Sequence, residues 1–161
     1  MHKRLFLQTL ASVAAIAVAP AWSSIALPQK FDPQRDAAAD LQLALDLARA
    51  QRKQVLVDVG GEWCVWCHIF DRFIAARPQV QKVLADQYVL LKLNYSPQNR
   101  NEPVLSRWPK AKGYPHFYVL NAAGELVASQ PSVSLEGGKD YDEAKVLAFL
   151  RLHQAVHSVV S

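Results

Sequence analysis

Apolar positions along this chain recur in blocks that switch between a helical and a strand period. From Asp36 to about Lys53, Leu41, Ala44, Leu45 and Ala48 share one face. Arg49, Arg52 and Lys53 place positive charge near the C-terminal end, so the stretch reads as a helix. Val55-Leu56-Val57-Asp58-Val59 is short and β-branched and ends at Gly60-Gly61, the pattern of a buried strand. Trp66, Phe70, Phe73 and Ile74 then return to helical spacing. Pro78 interrupts them and Val80, Val83 and Leu84 continue, which predicts one broken or kinked helix.

A second strand is predicted over Tyr88–Asn94, and the polar stretch from Ser96 to Lys112 predicts a loop with a short helix near Val104–Trp108. His116–Leu120, a turn with Asn121 and Gly124, and Leu126–Ala128 form a hairpin candidate. Asp140, with Glu143 three residues later, can cap a last helix running to about Val156. The order helix, strand, helix, strand, helix, strand, strand, helix predicts an α/β fold, a mixed sheet covered by helices on both faces.

The first residues stand apart from this pattern. His2, Lys3 and Arg4 precede an apolar run from Leu5 to Ala19, and Ala19-Pro20-Ala21 and Ser24-Ile25-Ala26 have the form of cleavage sites. This is the layout of a secretory signal peptide over residues 1–26, with 27–161 as the mature domain. Lys3-Arg4-Leu5-Phe6-Leu7 resembles a twin-arginine export signal, which leaves the route open, and an uncleaved anchor is the alternative. The expected location is periplasmic or otherwise exported. Without the leader, 16 basic residues face 14 acidic ones. No basic stripe with interleaved aromatics remains, so nucleic acid is not an expected partner, and a single monomeric domain is expected.

The chemistry concentrates in Trp63-Cys64-Val65-Trp66-Cys67-His68, which holds both cysteines of the 161-residue chain. Cysteines at this spacing can close a reversible disulfide, supply half of a zinc site, or, with His next, carry a c-type haem. The strand–turn–helix context puts Cys64 at a helix N-terminus, where free N–H groups and the dipole stabilise a thiolate. Cys64 is then the nucleophile and Cys67, expected to be less exposed, the resolving thiol. Asp58 lies within an apolar strand, where burial would raise its pKa enough to take the Cys67 proton near neutrality; a solvent-facing Asp58 is the alternative.

Val55-Leu56-Val57-Asp58, Glu62-Trp63-Cys64-x-x-Cys67 and Gly113-Tyr114-Pro115 together resemble the thioredoxin superfamily over essentially the whole mature chain. The likeness is nearest to the periplasmic C-terminal thioredoxin-like domain of the DsbD-type thiol:disulfide interchange proteins. It includes Trp-Cys-Val-x-Cys and Pro78-Gln79-Val80-Gln81-Lys82-x-Leu84-Ala85-Asp86. Those proteins have a multi-span membrane domain that is not seen in this sequence. The resemblance implies a thioredoxin-like fold, a disulfide reductase without cofactor beyond the Cys64–Cys67 pair, and a membrane electron donor. It also implies a cis bond at Pro115, although trans is the commoner state of X-Pro bonds in general. Trp63, Tyr114, Pro115 and His116 would then meet the protein or small-molecule disulfide.

The sequence departs from thioredoxin itself, which has Gly-Pro between its cysteines and usually Thr after the cis-proline. Here Val65-Trp66 and His116 occupy those places, so Val65, Trp66 and His68 become candidates for setting the potential. Either His68 or His116, if cationic near sulfur, would stabilise the Cys64 thiolate; solvated or groove-side positions are the alternatives. Trp66 more simply packs at the helix start. A haem ligated by His68 would need a second axial donor other than Met, because Met1 is the only methionine. Zinc lacks a second short-spaced Cys/His pair, and His153 and His157, although four apart, suit a solvated helix end. A non-catalytic binding module on the same scaffold is the remaining alternative.

Overall fold

The computed structural model describes residues 26–155. The expected leader, residues 1–26, therefore lies outside the described residues but for Ala26. Helix α1 spans Ala37–Gln51, capped by the Asp36 carboxylate, which accepts from the N–H groups of Ala38 and Ala39. It stops two residues short of Lys53 because Arg52 turns left-handed at φ 56° and returns its N–H to the helix's last carbonyls. Strand β1 (Gln54–Gly60) follows, then α2 (Val65–Ala75) and α3 (Pro78–Gln87). These are two helices rather than one kinked helix. The proline forces Arg77 into extended backbone, and Pro78 itself fits the first turn of a new helix.

Strand β2 is Tyr88–Asn94, as its pattern predicts. The loop after it carries α4 as one turn, Glu102–Leu105, earlier than expected because Asn101 starts it. Strands β3 (His116–Leu120) and β4 (Leu126–Pro131) form the hairpin. The Asn121 side chain accepts from the N–H groups of Ala123 and Glu125, and Gly124 takes the left-handed conformation at φ 87°. A 3₁₀ turn at Ser132–Leu135 and a small hairpin of β5 (Glu136–Gly137) and β6 (Asp140–Tyr141) were not expected. They occupy Asp140, so the cap of α5 (Glu143–Leu152) is Asp142, whose carboxylate accepts from the Lys145 N–H.

The four-stranded sheet runs β2-β1-β3-β4. β1 is parallel to β2 and antiparallel to β3, and β3 is antiparallel to β4, so the sheet is mixed. Side chains alternate across a strand, and β1 divides the core accordingly. Val55, Val57 and Val59 pack with Ala44 and Ala48 of α1, while Leu56 packs with Phe70, Phe73, Val80 and Leu150 from α2, α3 and α5. This is a thioredoxin-like α/β fold with helices on both faces. Among the described residues, no helix is long and apolar enough to cross a membrane.

Candidate active site

Cys64 and Cys67 form a disulfide with Cα atoms 5.2 Å apart. Cys64 is the N-cap of α2: its Sγ accepts from the Cys67 N–H at 3.2 Å, and its carbonyl accepts from Cys67 and His68. The first turn of the helix therefore directs one backbone donor, the Cys67 N–H, at the sulfur, as a thiolate there would need. Cys67 is fully buried, but Cys64 is only 3% exposed, so the difference in access is small. Phe31, Trp66 and Tyr114 pack against the pair.

Two glycines make room for this turn. A Cβ on Gly60 would collide with Sγ of Cys67, and one on Gly61 would collide with the Trp63 indole. Trp63 donates from Nε1 to the Tyr95 carbonyl at 2.8 Å and remains 53% exposed, a large apolar surface beside the sulfurs. Its ring meets Tyr114 edge-on at 5.7 Å, and Tyr114 stacks on Tyr95 at 4.7 Å. The Tyr114–Pro115 peptide is cis and Pro115 is buried.

Asp58 is completely buried on the face of β1 that carries Gly60, so it does not face solvent. The parallel register sets Asp58 beside Lys92 of β2. The ammonium lies 3.5 Å from Asp58 Oδ2 but 2.5 Å from Asp71 Oδ1 on α2, and Asp58 Oδ1 has no hydrogen-bond partner. Burial pushes the Asp58 carboxyl up to about 7; Lys92 opposes that rise without cancelling it, and Asp71 adds to it. The Lys92 ammonium also sits 4.4 Å over the Phe31 ring, while the Phe31 N–H donates to Glu62 Oε1 at 3.0 Å. The segment before α1 is thereby tied to the loop before Cys64.

The remaining candidates divide. His68 is half-exposed and donates from Nε2 to the Glu62 carbonyl at 2.8 Å, with Glu62 Oε2 3.8 Å away, so its ring nitrogen serves the loop. His116 is buried, bonded through Nε2 to Ser129 Oγ at 2.9 Å and tilted against Tyr118. Burial lowers its pKa, which favours a neutral ring. Val65 is exposed, whereas Trp66 is half-buried and meets Tyr141 edge-on at 5.6 Å. Among the described residues, no group of three or more His, Cys, Asp or Glu is arranged to hold a metal ion.

Sequence reasoning missed Lys92, Asp71, Phe31 and the Tyr95 platform. Two had a signal: Lys92 is a charge inside an apolar strand, like Asp58, and Asp71 lies one helical turn beyond Cys67. Phe31 lies in the segment before the first helix, where no periodicity marks it.

The described fold and site have clear relatives. The chain is 33% identical over 94 residues to the thiol:disulfide interchange protein DsbD of Salmonella typhi, covering 58% of this chain and 16% of that one. It thus spans less than a fifth of that relative's length. In structure it is similar to a disulphide isomerase from Xylella fastidiosa, with TM-score 0.66 and 19% identity over 80% of this chain and 98% of the other. It is also similar to the reduced DsbD C-terminal domain of Neisseria meningitidis, with TM-score 0.55 and 18% identity over 74% and 97%. Residues 36–122, more than half of the sequence and including Asp58, both cysteines and Pro115, match the family model described as thioredoxin-like, and the chain belongs to that family.

Proposed function

We propose that the protein is an exported thiol–disulfide oxidoreductase that reduces protein disulfides through Cys64 and Cys67. The observation that carries this reading is the Cys64–Cys67 disulfide at the start of α2, with a helix N–H donated to Cys64 Sγ. In the reduced protein the Cys64 thiolate, held by that donor at the start of α2, attacks one sulfur of a substrate disulfide. A mixed disulfide forms and the first substrate thiolate leaves. Cys67 then gives its proton to the Asp58 carboxylate and attacks Cys64 Sγ. The Cys64–Cys67 bond closes, the second substrate thiolate leaves, and two electrons have passed to the substrate.

Asp58 suits the acceptor role because burial brings its carboxyl to about 7, close to the pH of the reaction. It lies two residues before Gly60, which touches Cys67, hence about 7 Å back along the same face of β1. Proton transfer over that distance requires a water between the Cys67 sulfur and the carboxylate. Trp63, Tyr114, the Pro115 backbone and the mouth of the site beside His116 would receive the substrate chain as an added strand. The leader-like N-terminus supports export, and the likeness to interchange proteins supports the reductive direction. A reductase outside the cytoplasm needs a two-electron dithiol donor, and the same likeness supports a donor at the membrane; the domain itself acts as a monomer.

Reduction of insulin by the reduced protein tests the reading. Cys64→Ser should lower turnover by at least about 100-fold, and Cys67→Ser should accumulate a mixed disulfide on Cys64. Full activity in the Cys64 variant would rule the mechanism out. Equilibration with glutathione tests direction: a potential near about −120 mV, that of a strong oxidant, would contradict the reductase assignment.

A further inference from the structure

The loop between β2 and β3 builds a feature that the redox pair does not use. From Ser96 to Gly113 it carries Arg100, Arg107, Lys110 and Lys112 against one acid, Glu102. Several cations elsewhere have acidic partners, among them Arg35 with Asp40, Arg49 with Asp46, Arg77 with Glu143 and Lys82 with Asp86. Among the described residues, no ion pair involves Arg100, Lys110 or Lys112, all of them exposed, and the Arg107 guanidinium donates to the Pro103 carbonyl. Four basic residues against one acid thus give this loop a net positive rim.

The rim encloses apolar space. A cavity of about 360 Å³ is walled by Tyr95, Leu105, Trp108 and Tyr114, and its charged lining is Arg100 and Lys110 against the single acid Glu102. A second, of about 450 Å³, lies between Trp63, Tyr95, Pro97 and Arg100. The two share Tyr95 and Arg100, and the Trp63–Tyr114–Tyr95 contacts join them to the residue preceding Cys64. Each volume accommodates an aromatic side chain.

We propose that these joined cavities bind an acidic, aromatic-bearing segment of the substrate polypeptide beside its disulfide, the aromatic ring entering between Tyr95 and Trp108 and the carboxylates meeting Arg100 and Lys110. The inference rests on the oxidoreductase reading and adds the class of substrate. Charge complementarity selects the acidic partner and speeds its encounter. The cavities fix where the chain lies, because an aromatic anchor gains by leaving water.

The test uses the reduced full chain and three peptides that share one intramolecular disulfide and differ in the flank: Asp-Asp-Phe, Lys-Lys-Phe or Asp-Asp-Ser. Hydroxyethyl disulfide serves as a small neutral substrate. At about 20 mM salt the Asp-Asp-Phe peptide should react about 10-fold faster than the Lys-Lys-Phe peptide, and the ratio should shrink towards one at about 0.5 M salt. The double variant Arg100→Glu, Lys110→Glu should invert the order, while Lys82→Glu on remote α3 should preserve it. Equal rates for the two charged flanks, with hydroxyethyl disulfide still reduced, would overturn the inference and leave the oxidoreductase reading standing. Equal rates for Asp-Asp-Phe and Asp-Asp-Ser would remove the cavities from it. Failure to reduce any peptide or hydroxyethyl disulfide would defeat the oxidoreductase reading itself.

Discussion

The two faces of β1 are built from one seven-residue strand and have opposite chemistry. Towards α1 it presents Val55, Val57 and Val59, all buried against apolar neighbours. Towards α2 it presents Leu56, then Asp58, then Gly60, passing within three alternate positions from core, to buried acid, to the gap that receives Cys67 Sγ. The first face follows from burial alone. The second gives up stability at Asp58, since a carboxyl brought from water to an apolar site without full hydrogen bonding is costly. A strand under selection for stability alone would repeat the first face, so the difference marks where β1 serves the disulfide.

The largest effect should come from removing that cost. In the folded protein Asp58 keeps its proton to about pH 7, whereas the unfolded carboxyl releases it near 3.8. Between these values the folded state binds more protons, so stability falls as pH rises, and the penalty is fully developed above about 7. Asp58→Asn lacks this dependence. The oxidised variant should exceed wild type by a few kcal/mol at alkaline pH, the gap narrowing as pH falls from about 7 and closed below 3.8. Denaturant melts across this range provide the check, and parallel curves would sink the account. The same variant should slow closure of the mixed disulfide at neutral pH.

Gly60→Ala acts on the same face by volume. Its Cβ would meet Sγ of Cys67, which the disulfide tethers, whereas a reduced Cys67 can rotate away. The oxidised protein should lose about 2–3 kcal/mol and the reduced protein less, which makes the variant the stronger oxidant. An unchanged potential would show that the sulfur relaxes freely. Val57→Ala supplies the contrast from the apolar face: a loss of about 2 kcal/mol, equal at every pH and in both redox states. A pH-dependent loss there would mean that the two faces are coupled.

How far this contrast was legible in the sequence differs by residue. The hydrophobic period located β1, β2 and β3 because each is an apolar run buried in the core, and the Asn121–Gly124 turn then marked β4 as the partner of β3. The Cys64 position followed from the strand and helix on either side of it. Asp58 was visible as a charge in an apolar run, but its face depends on packing: Val57 and Val59 are buried as fully as it is. Lys92 was visible for the same reason, yet its meeting with Asp58 needs the parallel register of β1 on β2. The Asp140 cap failed because Asp142 competes for the same helix start and the β5–β6 hairpin takes Asp140. Phe31 and Tyr95 reach the site through loop paths that no local period encodes.

Lys92→Met should give the smallest and most specific effect. The ammonium is divided between two acids, and its shorter contact is to Asp71, at 2.5 Å against 3.5 Å for Asp58. Asp71 is partly open to water and can be solvated when the lysine is lost, while buried Asp58 cannot. Removing the cation deletes the influence that opposes Asp58's desolvation, so its titration should move further up. Met keeps most of the apolar stem against Phe31, which limits the packing loss. Following the Asp58 carboxyl by NMR in Lys92→Met and Asp71→Asn separates the two contacts. Without Asp71 the ammonium is released towards Asp58, so the carboxyl should titrate lower, opposite to the lysine variant. Shifts in the same direction would mean that the charges act through a change in packing, and that the second face of β1 is not tuned by how Lys92 is shared.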